Sequence, residues 1–164
     1  MNQHLSQIDF DPALRPGAFN AVNVCLRLQP EERLTLITDE ATSEIAAALV
    51  SEIEKVGSRY TVFVLENLMT RPLVHMPPAI LDDLQKSDVS ILANITQSGE
   101  LPSRREMTNV VNRHKIRHAH MVNINKQIMR EGIGADFNLV DELSLTLVEK
   151  ARRTKVIRAK SDGG

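Results

Sequence analysis

The sequence predicts an α/β fold, a three-layer α/β/α domain with a mostly parallel sheet of about five strands. Three observations predict it. The run from Arg33 to Val56 passes from a short apolar strand to an amphipathic helix across the acidic turn Asp39-Glu40. Strand-like and helix-like segments then alternate along the chain, and such alternation implies parallel pairing because each crossover is taken up by a helix. Finally, 164 residues with 42% hydrophobic side chains suffice for one core without disulfide staples.

The elements follow in order. Residues 1–17 read as an irregular start closed by Arg15-Pro16-Gly17, and residues 18–160 as the α/β domain. From Ala18 to Leu28 apolar residues recur at helical spacing, with Cys25 on the stripe, until Pro30 stops the helix. Arg33 to Thr38 is the first strand, apolar on both faces and therefore expected at the centre of the sheet. The helix from about Glu40 to Val56 carries the stripe Ile45, Leu49, Ile53, Val56 and stops at Gly57. Tyr60 to Leu65 is the second strand. A connection from Glu66 to Pro77 leads to a helix from about Pro78 to Lys86, and Val89 to Ala93 is the third strand. After a polar loop, Ser103 and Glu106 have the spacing of a capping box, which places a helix from Ser103 to about His114. Ile116 to Val122 is the fourth strand, Lys126 to Glu131 a short helix, and Asn138 to Arg153 a longer one striped by Val140, Leu143, Leu147 and Ala151. Lys155 to Ala159 is the expected fifth strand, and residues 161–164 read as a tail or linker start. The pattern is that of Rossmann-like and flavodoxin-like domains.

Composition narrows the function classes. With 20 basic against 21 acidic side chains the formal net charge is -1, so no nucleic-acid partner is implied. No apolar run approaches the roughly 20 residues that span a bilayer, and no secretory leader is visible, so no membrane partner and a cytoplasmic location are expected. A single cysteine fits a reducing compartment. Neither GxGxxG nor GxxxxGK[ST] occurs, which argues against a dinucleotide or nucleoside triphosphate site.

In open parallel sheets ligands gather outside the carboxyl ends of the strands. Asp39 and Glu40 lie there, able to act as paired carboxylates for acid-base work or Mg²⁺; the structural alternative is a helix cap and a first-turn anion. The Asn94 to Ser98 loop, with Thr96, belongs to the same edge. Arg104 and Arg105 are cations in a helix's first turn, where the dipole opposes them and a compensating anion is expected, either a substrate carboxylate or an acidic side chain of another domain; the structural alternative is a pair of salt-bridged surface arginines. His118 and His120 share one face of the fourth strand and are weak candidates for a metal pair, since no third ligand stands at a recognisable offset. Met69, Leu73 and Met76 lie on a proline-stiffened connection that is long and apolar for a loop, and are expected to meet a partner surface, the alternative being a satellite hydrophobic cluster within the monomer.

Ala21-Val22-Asn23-Val24-Cys25-Leu26, Leu36-Ile37-Thr38-Asp39-Glu40-Ala41-Thr42, Gly99-Glu100-Leu101-Pro102-Ser103-Arg104-Arg105 and Ile116-Arg117-His118-Ala119-His120-Met121-Val122-Asn123-Ile124 together resemble the amino-terminal half of thermophilic-type metallo-aminopeptidases, the aminopeptidase T/S group often called leucyl aminopeptidases. The likeness runs from Ala18 to Ala159 and includes no catalytic motif. It implies a non-catalytic domain of a hydrolase that releases amino-terminal residues from peptides. In that family Zn or Co ions are held by a carboxyl-terminal domain, so no catalytic residue and no cofactor is expected within this chain. The implied partners are that catalytic domain or further copies in a homo-oligomer. The alternative is a stand-alone binding or scaffold subunit without peptidase activity.

Overall fold

Four short apolar runs pair side by side in the computed structural model, which describes residues 7–163. Strands β1 (Arg33–Thr38), β2 (Arg59–Val64), β3 (Val89–Asn94) and β4 (Arg117–Val122) form one sheet in the order β2-β1-β3-β4, all parallel. The fold is α/β, as the alternation requires, with four strands instead of five. Lys155–Ala159 forms no strand: Val156 and Ile157 are β-branched but stand exposed, and without a neighbour to pair with, strand propensity alone gives no ladder. β1 and β3 are internal. β3 is buried along its whole length, and β1 at every residue but Arg33.

The pleat sends alternate side chains to two cores. On one face Leu34, Leu36, Val62, Val89, Ile91 and Ala93 pack with α2 (Ser43–Val56) and the helical stretch that includes α1 (Arg15–Phe19). On the other, Ile37 and Leu92 pack with α3 (Pro78–Leu84) and α4 (Leu101–His114) through Ile80, Leu84, Met107 and Val111. Helices on both faces make three layers.

Several boundaries differ from the sequence reading for local reasons. The first helix begins at Arg15, earlier than Ala18, and widens over Asn20–Cys25 into turns with bonds five residues back, ending before Leu28. That widening rotates Cys25 off the buried stripe, and its side chain is exposed. Gly57 closes α2 in the left-handed conformation, φ 82°, where its amide bonds the carbonyls of Ile53 and Glu54. Gly17 admits the turn Ile128–Gly132, since an added Cβ would sit 2.3 Å from the Met129 carbonyl oxygen.

The described chain divides into two units between Gly134 and Ala135. The first contains the sheet and α1 to α4. The second contains α5 (Phe137–Arg152), capped by Asp136, whose carboxylate accepts from the amides of Asn138 and Leu139. None of α5's residues is buried.

Candidate functional site

The strand order sets where a ligand would be expected. The chain leaves β1 for β2 on one side and returns to β3 on the other, so the crevice between the carboxyl ends of β1 and β3 is the topological switch point. Thr38 and Ala93 pair in register there, which brings Asp39 beside Asn94 and Ile95.

That crevice is filled from within by Arg71, carried on the connection between β2 and α3. Its side chain is only 4% exposed. Nε donates to Glu100 Oε1 at 2.8 Å; Nη1 donates to Asp39 Oδ2 at 2.7 Å and Glu66 Oε1 at 3.0 Å; Nη2 donates to Glu100 Oε2 at 2.7 Å and to the Ile95 carbonyl. A guanidinium has five N–H donors, and five acceptors surround this one. The acceptors are saturated in turn. Asp39 Oδ2 also takes the Ile95 amide at 2.7 Å, while Oδ1 takes the Thr42 amide at 2.9 Å and the Thr42 hydroxyl at 2.7 Å. Glu100 accepts the Leu73 amide at 3.1 Å and the Gln97 amide at 2.9 Å, and Glu66 Oε2 accepts the Glu40 amide at 3.1 Å. Three carboxylates face one cation, and backbone dipoles offset the excess.

The electrostatics follow from this geometry. Burial alone would raise the Glu100 carboxyl, but the Arg71 guanidinium and the amides of Gln97 and Leu73 hold it down at about 2. Arg71 is pushed above its ordinary value, first by its bonds to Glu100 and then, against the cost of burial, by those to Asp39 and Glu66. Desolvation makes such a cluster weak as a source of net stability, yet removing one member leaves buried charge uncompensated. Chemically it is a clasp joining three loops, with no free donor on its cation.

The residues singled out from the sequence fall in three places. Asp39 caps the turn Glu40–Thr42 and belongs to the clasp, while Glu40 is exposed in the first turn and contributes its amide. Thr96 lies at the rim, its amide and hydroxyl both donating to Asn123 Oδ1 at 2.9 Å. Beside it Asn94 Oδ1 is buried with no hydrogen-bond partner among the described residues.

Arg104 and Arg105 are the fourth and fifth residues of α4, at and just past the end of its first turn, and neither forms an ion pair among the described residues. Arg104 Nε is buried without a partner, and Arg105 is exposed. The capping box is corrected. α4 starts at Leu101, two residues early; Ser103 Oγ donates to the Glu100 carbonyl at 2.8 Å, and Glu106 reaches His75 Nδ1 and the Met76 amide, each at 2.8 Å. Glu106 therefore anchors the Arg71 connection instead of the helix.

His118 and His120 do meet on β4. His118 Nε2 lies 3.2 Å from His120 Nδ1, and Ser90 Oγ lies 2.8 Å from His118 Nδ1. Both nitrogens of His118 are thus engaged, and the pair does not fit a divalent cation as arranged. Burial, then the neighbouring His120 charge, hold His118 down at about 4, with the Ser90 contact opposing them. Burial followed by the Arg104 charge lowers His120. Among the described residues, no group of three or more His, Cys, Asp or Glu is placed to share a metal ion.

The interface reading of the proline-stiffened connection is corrected in part. Leu73 and Met76 are buried with Ile37, Ile80 and Leu92, so they belong to the body's own core, and Met69 at 47% exposure stands outside it. Arg71 and Glu100, the centre of the clasp, were not singled out from the sequence. The one signal was an arginine inside a loop rich in leucine, methionine and proline.

No protein-family model matches the chain, and no curated protein matches it in sequence. No helix among the described residues is long and apolar enough to cross a membrane.

Proposed function

We propose that this chain is a cytoplasmic, non-catalytic α/β domain of the metal-dependent aminopeptidase type. On this reading peptides lose amino-terminal residues only where a carboxyl-terminal metal domain supplies Zn or Co, with this domain serving assembly and the shaping of the substrate cavity. The observation that supports it best is the Arg71 clasp, which takes up the crevice where a ligand of this fold would otherwise sit. A buried cation with every N–H engaged has nothing left with which to hold a substrate carboxylate. A stand-alone scaffold subunit is the second reading, favoured by α5, which buries none of its apolar residues.

The test is hydrolysis of aminoacyl anilides by the purified chain with added Zn²⁺ or Co²⁺. No turnover above the metal-only control is expected. Turnover that is abolished by a chelator and by His118→Ala would overturn the reading.

A further inference from the structure

α4 starts without an acid of its own to meet its dipole. Its first turn holds no carboxylate, and the two that flank that turn are engaged elsewhere, Glu100 on Arg71 and Glu106 on the His75–Met76 segment. Arg104 adds positive charge to this end of the helix and forms no ion pair among the described residues. It does not stand free in solvent. Lying three and seven residues before the buried Met107 and Val111, it shares the face that α4 lays on the sheet, and its Nε is buried without a hydrogen-bond partner. The described residues supply this cation with no anion.

Asn94 faces the same layer. The pleat that sends Ala93 to the α2 side turns Asn94 to the α4 side, together with Leu92 and Ser90. Asn94 is 2% exposed, and its Oδ1 has no hydrogen-bond partner among the described residues, so an open buried acceptor lies on the face that carries the open donor. On β4 the register sets Val122 opposite Asn94 and His120 opposite Leu92, one pleat repeat lower. The Arg104 charge is felt at His120, which puts the guanidinium over this stretch of β3 and β4. His120 is exposed on an edge strand, so the place is reachable from solvent. We propose that Arg104 and Asn94 form a binding site for a short hydroxy-carboxylate, whose carboxylate sits on the guanidinium and whose hydroxyl donates to Asn94 Oδ1. A hydroxyl fits better than an ammonium, which would set a second cation against Arg104. The proposal does not depend on the aminopeptidase reading, and its test involves no hydrolysis.

Glycolate and acetate are the matched probes, since they differ by one hydroxyl. Each is titrated into the full chain at constant pH while the His120 ring resonances are followed by NMR, with sodium chloride at equal ionic strength as the reference. Glycolate should bind in the millimolar range and roughly tenfold more tightly than acetate, because only glycolate offers a donor to the open Asn94 oxygen. Arg104→Met should abolish both responses. Asn94→Leu should bring glycolate down to the acetate level and leave acetate unchanged. It replaces an unpartnered buried amide by an apolar side chain of similar size, so the thermal transition should hold. No movement of His120 with either probe overturns the proposal, as does equal affinity of the wild type for the two. Binding that survives Arg104→Met overturns it too. A thermal transition that collapses in Asn94→Leu would show that the amide holds the fold rather than a ligand, which also overturns it.

Discussion

The carboxyl edge of the sheet and the helix α5 are built from the same materials, aliphatic side chains beside clustered charge, yet they satisfy them in opposite ways. At the sheet edge Arg71, Asp39 and Glu100 consume one another's hydrogen-bonding capacity, and Leu73 and Met76 vanish into the core beneath them. On α5 the apolar side chains are bare, Leu143 and Leu147 among them, and none of its residues is buried. Exposed apolar surface marks the places that meet other molecules, whereas internally matched charge marks the places that hold a fold together. The switch point, where a ligand was most expected, is therefore the better-closed region of the two.

That contrast breaks most visibly at Arg71. Replacing it with methionine keeps the length of the side chain but leaves Asp39 and Glu100 buried without their cation, which should cost about 3 to 5 kcal/mol. The pH response should also change sign. In the wild type the Glu100 carboxyl is held at about 2, below its ordinary 4.5, so its contribution is complete above pH 4.5 and is lost as pH falls towards 2. Without Arg71 burial dominates and raises the carboxyl, so the variant should gain stability as pH falls from neutrality towards 4.5. Urea unfolding at several pH values measures both effects.

The next contrast lies within one loop. Leu73→Ala should destabilise the body by about 2 to 5 kcal/mol, as buried leucine truncations do. Met69→Ala, four residues earlier and half exposed, should stay within about 0.5 kcal/mol. Equal effects at the two positions would place the whole connection either in the core or outside it.

These outcomes bear on what could be read in advance. β1 and α2 were legible because their signals are local: an apolar run, Asp39 at the turn, a stripe at helical spacing and Gly57 at the stop. The clasp was not, because its partners lie 32 and 29 residues apart and no period in the sequence joins them. Ser103 and Glu106 had the right spacing for a capping box, but the His75–Met76 segment claims the Glu106 carboxylate instead. Leu73 and Met76 misled for a related reason, since composition gives the same residues to a core and to an interface. Val156 and Ile157 have strand propensity, yet pairing needs a neighbour that propensity cannot supply.

Native-state hydrogen exchange tests the closed edge most directly, because three of its amides donate to carboxylates rather than to any ladder. The Leu73 amide bonds Glu100, the Ile95 amide bonds Asp39 and the Met76 amide bonds Glu106. If the edge is a clasp, Leu73 and Ile95 should exchange only through global unfolding, with protection equal to that of the β1 amides, while Met76, whose acceptor Glu106 is more exposed than Asp39 and Glu100, follows with somewhat less. Leu73 and Ile95 exchanging freely while β1 remains protected would show that the edge opens on its own, and the account of a crevice closed by Arg71 would be wrong.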